Sequence, residues 1–109
     1  MVAAATLAVA TTACGTTDTV HRSIAATPVN AAPGFFPTSI VVNQEDTVIL
    51  RVGNGTDREH GFTIEGYKRS TTVKPNETKE IKFKATRAGT FKIFCQLHPA
   101  HQTATLIVQ

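Results

Sequence analysis

Apolar and polar side chains alternate along most of this chain, and the alternation has period two. Val48, Leu50 and Val52 share one parity. Ile81, Phe83 and Ala85 share another, with Glu80, Lys82 and Lys84 opposite. Such patterning predicts strands with one face buried. Strands are expected over residues 21–26, 39–42, 47–53, 60–64, 78–85, 90–95 and 103–108. Turn signals separate them: Pro33-Gly34, Gln44-Glu45-Asp46, Asn54-Gly55, Pro75-Asn76 and Ala88-Gly89. No segment shows a helical period. About seven to eight short strands in one small domain point to an all-β, antiparallel sandwich.

Parity also tells which chemistry faces the core. Phe91, Ile93 and Cys95 lie on one side of their segment and Lys92 on the other. Cys95 therefore closes a strand while pointing inward. His60 shares its parity with Phe62 and Ile64, so it opens a strand and also points inward. Two inward groups at strand ends can meet at one pole of a sandwich.

Length adds one constraint. A chain of 109 residues is read as one domain. Residues 1–14 read as a signal or lipobox-like segment, 15–19 as a linker and 20–109 as the folded domain. Residues 2–13 carry no charge, and Thr11, Thr12 and Ala13 precede Cys14 as small residues precede a lipidated cysteine. Export is expected, to a bacterial periplasm or cell-envelope surface, with a lipid anchor through Cys14. No apolar run is long enough to span a bilayer. The formal charge of +3 is too small and too scattered to indicate nucleic acid. Lys82, Lys84 and Lys92 are candidates for a basic face toward an acidic partner, set against their ordinary role as a solvated sheet face.

Residues 95–101 then dominate the chemistry. They place Cys95, His98 and His101 in a single short loop, downstream of the inward His60. A lone inward histidine is ordinarily a satisfied core residue, and a lone buried cysteine is ordinarily a small hydrophobe. Here three of the chain's 4 histidines fall where one cluster can form with Cys95. With Cys14 acylated or removed, Cys95 is a lone thiol in an oxidising compartment, which metal binding explains. Thiolate and imidazole suit copper or zinc. Copper is favoured over zinc for an exported protein with this donor set. His21 has no place in the cluster.

These residues sit in stretches that resemble the cupredoxin family, across about residues 20–109. The matching segments are Phe36-Pro37-x2-Ile40-x-Val42, Asp46-Thr47-Val48, His60-Gly61-Phe62-x-Ile64, Val73-x-Pro75-x-Glu77 and Gly89-Thr90-Phe91-x3-Cys95-x2-His98-Pro99. The His-Gly-Phe and Pro-x-Glu segments look like the copper domains of cytochrome oxidase subunit II and nitrous oxide reductase. Those carry a binuclear centre that needs two cysteines, whereas this loop has one. The short loop instead resembles the amicyanin-like pattern Cys-x2-His-Pro-x-Met. The resemblance implies a Greek-key β-sandwich with one mononuclear copper ion, and His60, Cys95 and His98 as ligands. His101 stands where the pattern has Met, with Gln102 as an alternative axial group. An imidazole there implies tighter Cu(II) binding, a lower reduction potential, and a shift from blue toward green or red copper. Gly61 stands where many members carry an Asn that braces the ligand loop, so that bond must come from elsewhere, with Asn54 a candidate.

One-electron transfer is the leading function expected from this resemblance, by a monomer that docks a redox partner through Leu97, Pro99 and Ala100 around His98. Copper storage or delivery to a donor or acceptor protein is the second. A small copper redox enzyme with an open position, acting on superoxide or nitric oxide, is the third. An electron carrier or copper-binding protein is favoured over an enzyme.

Overall fold

Leu50 is almost fully buried and its neighbour Arg51 is exposed, so the alternation read from the chain becomes the two faces of a real sheet. The computed structural model describes residues 18–29, 32–98 and 100–109. Cys14, the 1–14 segment, residues 15–17 of the 15–19 linker, and Pro99 lie outside the described residues.

Nine strands are formed among the described residues: β1 Thr19–Val29, β2 Ala32–Phe36, β3 Ser39–Val42, β4 Thr47–Asn54, β5 His60–Ile64, β6 Arg69–Val73, β7 Thr78–Lys84, β8 Gly89–Phe94 and β9 Ala104–Val108. They form two sheets, ordered β2-β1-β4-β7 and β3-β9-β8-β5-β6. Ile24, Leu50, Val52, Ile81 and Phe83 from the first sheet and Phe62, Ile64, Ile93, Leu106 and Val108 from the second are buried in one core cluster. The all-β sandwich is therefore the observed fold.

Three details differ from the expectation. First, β2 and β6 are strands that the pattern did not announce. β2 contains the Pro33-Gly34 pair read as a turn. Proline is tolerated there because β2 is an edge strand, and Pro33 faces Pro28, where β1 has already run past the end of β4. β6 is a largely polar edge strand, and only Val73 is buried. Second, two pairings are parallel, β1 with β4 and β3 with β9. Alternation is the same in either direction, and long connections separate both pairs, so sequence periodicity does not distinguish them. Third, Lys82 and Lys84 lie on β7 in the first sheet, whereas Lys92 lies on β8 in the second. They do not share one face, and Lys84 Nζ already pairs with Glu45 at 3.3 Å.

Asp46 shows how a buried polar residue sets a turn. Its carboxylate accepts the Asn43 N–H at 2.9 Å, and its own N–H donates to the Asn43 carbonyl at 3.1 Å. The turn fixes where β4 begins, and so which of its side chains face inward.

Replacement of Leu50 by Ala is expected to cost about 2–5 kcal/mol, from lost burial and the cavity left behind. Arg51→Ala should stay within about 0.5 kcal/mol of wild type. Denaturant unfolding of the metal-free protein measures both, and equal effects would contradict the assignment of faces.

Candidate metal centre

The site is built by the pairing of β5 with β8. Thr63 faces Phe94 and Ile64 faces Ile93 in an antiparallel register. Continued past the end of β8, that register sets Cys95 opposite Phe62 and Gln96 opposite Gly61. His60 opens β5 on the same face as Phe62, and both are buried. Cys95 follows β8 directly and is a buried free thiol. The strand expected to end at Cys95 ends one residue earlier, and the inward direction of the thiol is unchanged.

His98 comes from the loop after Cys95 and is half-buried. One donor atom each from His60, Cys95 and His98 lie within 4.8 Å of one another. Cys95 Sγ and His98 Nδ1 are 3.6 Å apart. The Gly61 N–H donates to Cys95 Sγ at 3.1 Å. That bond draws charge from the sulfur and fixes its direction toward the two imidazoles.

His101 is buried beside this group but is not one of its three members. Its ring lies 4.8 Å from that of His60 and 4.3 Å from that of Phe35. His101 Nδ1 is 2.8 Å from the Gln102 carbonyl. A carbonyl only accepts, so Nδ1 carries the proton and Nε2 keeps its lone pair. The side chain of Gln102 is exposed, and its backbone N–H donates to the Pro33 carbonyl at 2.9 Å. β2 thus supports the far end of the loop, through Phe35 and Pro33. No pattern in the sequence assigns that role, because the turn-like pair Pro33-Gly34 lies within β2.

Asn54 does not brace the ligand loop. Its amide nitrogen donates to the carbonyls of Arg58 at 2.6 Å and Val73 at 2.9 Å. Its oxygen accepts from the Thr56 N–H and hydroxyl. It holds the 55–59 turn that leads into His60. His21 is exposed on β1 and has no part in the cluster. Leu97 and Ala100 are exposed beside His98.

Two observations test whether these residues fit a metal. His60 Nδ1 and His101 Nε2 are buried with no hydrogen-bond partner. Leaving such an atom unpaired costs about 1–3 kcal/mol, so two together call for a ligand. The donor chemistry agrees, since one thiolate with two imidazoles is the trigonal set of blue-copper sites. Burial lowers the pKa of His60 first, followed by repulsion from His101, His98 and Arg58, with Asp57 opposing. His101 is lowered by burial, against the raising effect of its bond to Gln102, and further by His98. Both shifts favour the neutral ring, the form in which an imidazole binds a metal.

A two-sheet sandwich with a His-Cys-His cluster at one pole defines a class of metal-binding β-protein, and the comparisons give it a family. Residues 2–108 match the cupredoxin-like domain family, to which the chain belongs. Among solved structures, it is similar to a copper nitrite reductase from Nitrosomonas europaea, with TM-score 0.71 and 20% identity over 84% of this chain. It spans 41% of that protein's length. Auracyanin from Roseiflexus castenholzii matches with TM-score 0.68 and 19% identity, over 82% of this chain and 96% of its own. Auracyanin A from Chloroflexus aurantiacus, a "blue" copper protein, matches with TM-score 0.66 and 19% identity, over 83% and 98%. At these identities the likeness establishes the fold. The cluster of His60, Cys95 and His98 in a cupredoxin fold is consistent with a copper site.

The depressed imidazoles make a pH prediction for the metal-free protein. The folded state binds protons at His60 and His101 less readily than the unfolded chain, whose imidazoles titrate at about 6.5. Stability present above that pH is lost as pH falls from about 6.5 toward the folded-state values. Thermal melts should show Tm dropping on acidification through this window, with a smaller drop in His101→Gln. An unchanged slope in that variant would contradict the assignment.

Proposed function

We propose that this chain binds one copper ion through His60, Cys95 and His98, with His101 as the fourth ligand, and serves as a one-electron carrier. The observation that carries the reading is the convergence of a buried thiol and two imidazoles within 4.8 Å, with the Gly61 N–H on the sulfur. Copper would supply a one-electron couple between its cuprous and cupric states. The protein's part is to hold the donors. His60 and Cys95 stand at the ends of paired strands inside a packed core, so they move little between oxidation states. The Gly61 N–H stabilises negative charge on the sulfur. His98 lies nearest the surface, and exposed Leu97 and Ala100 beside it offer a small apolar contact for transient docking of a redox partner.

The short loop from Cys95 to His98 supports the amicyanin-like comparison, and the orphaned Nε2 of His101 supports an imidazole where that pattern has Met. The exposed side chain of Gln102 is the weaker candidate for that position. Export and tethering through Cys14 belong to the same proposal and rest on the uncharged run of residues 2–13 and the small residues before Cys14, and a monomeric state is proposed with them. Copper storage or delivery is the second reading. An imidazole as the fourth ligand favours it, because a stronger donor holds Cu(II) more tightly than a thioether does. Fast electron self-exchange would support the carrier, and rapid transfer of copper to an apoprotein the delivery role.

Cu(II) added to the metal-free full chain should produce an intense thiolate-to-copper absorption band. Cys95→Ser should abolish it and Cys14→Ser should retain it. No band in the wild type would remove the copper reading. Within the loaded protein, His101→Met should raise the reduction potential and shift the band toward that of blue sites. A spectrum and potential unmoved by both His101→Met and His101→Ala would exclude His101 from the ligand set.

A further inference from the structure

Cys95 and Gln96 are neighbours that point to opposite faces of the second sheet. The thiol goes inward, beneath the start of β5. The Gln96 amide lies on the outer face, across Gly61. Gln96 Oε1 accepts the Thr63 hydroxyl at 2.7 Å. Its Nε2 lies 3.2 Å from Ser70 Oγ and donates to the Thr71 carbonyl at 3.1 Å. One side chain of the ligand loop is thus tied to β5 and β6 at once.

Gly61 is what makes room for it. A Cβ at residue 61 would stand 2.3 Å from Gln96 Oε1 and 2.4 Å from Gln96 Cδ, closer than carbon approaches such atoms. The crowded group is the end of a flexible side chain, so alanine at 61 would displace the amide rather than the strand. Gly61 is therefore gripped from two sides. Its N–H holds the Cys95 sulfur, and its bare α-carbon seats the Gln96 amide. Thr63 and Ser70, whose hydroxyls lie 3.1 Å apart, complete the seat from paired positions on β5 and β6.

We infer that Gln96 is a positioning residue for Cys95: its amide, seated on Gly61, locks the first turn of the ligand loop to β5 and holds the thiol in register with His60. The inference rests on the proposed copper site only for its spectroscopic consequence, since the lock is a property of the chain without metal. Its logic is that of outer groups that orient a ligand they do not replace. Gln96 is exposed, so its removal leaves the core intact.

The test uses the full chain as wild type, Gln96→Ala, Gln96→Glu, Gly61→Ala and the Gly61→Ala/Gln96→Ala double variant. In the metal-free protein, amide exchange at residue 61 should quicken about tenfold or more in Gln96→Ala, by local opening, with Tm nearly unchanged. Gly61→Ala should act alike, and the double variant should add nothing further, because both substitutions break one lock. Gln96→Glu keeps the acceptor for Thr63 and loses the two donors, so it should fall between wild type and Gln96→Ala. In the copper-loaded protein, Gln96→Ala and Gly61→Ala should displace the thiolate-to-copper band in the same direction. Exchange at residue 61 within about twofold of wild type in Gln96→Ala would overturn the lock, as would independent, additive effects of the two substitutions. A band unmoved in loaded Gln96→Ala would overturn its role in positioning Cys95. If the wild type gives no band at all, the copper reading fails, and the exchange measurements still decide the lock.

Discussion

The hydrogen bond from the Gly61 N–H to Cys95 Sγ joins the two strands on which the site depends. β5 brings His60 and β8 leads to Cys95, and their antiparallel pairing sets the two donors side by side. A slip of one residue would turn either side chain to the opposite face. The core therefore protects the site: Phe62 and Ile64 on β5 and Ile93 on β8 are buried at essentially zero exposure, and they hold the register that the donors need. Packing fixes the strands, and the strands fix the chemistry.

Around that pairing the remaining parts have separate tasks. Asn54 satisfies its buried amide within the 55–59 turn and so sets the approach to His60. Phe35 packs on His101 while the Pro33 carbonyl takes the Gln102 N–H, so the short edge strand β2 steadies the far end of the ligand loop. Gln96 secures its near end. Among the described residues, His60 Nδ1 and His101 Nε2 are buried without a hydrogen-bond partner, which suits the ligand roles proposed for them.

Much of this was legible in the chain, and the limits are instructive. β4 and β7 alternate cleanly because one face is core and the other solvent, so their inward residues could be named outright. The inward aim of His60 and Cys95 followed from the same parity. β2 was hidden by Pro33-Gly34, which is punctuation in most contexts and is permitted here by an edge position. β6 was hidden because Arg69, Ser70, Thr71 and Thr72 carry no apolar alternation. Strand direction was invisible, since parity is the same for parallel and antiparallel neighbours. Parity also gives the face of Gln96 without giving its partner. Only the cross-strand register reveals that residue 96 meets residue 61, and why residue 61 is glycine.

X-ray absorption at the copper edge of the loaded full chain is the most direct test of a thiolate and imidazole site at this pole. One sulfur donor with nitrogen donors completing the sphere is the predicted result, with the sulfur lost in Cys95→Ser. A sphere of nitrogen and oxygen donors alone in the wild-type protein would contradict it.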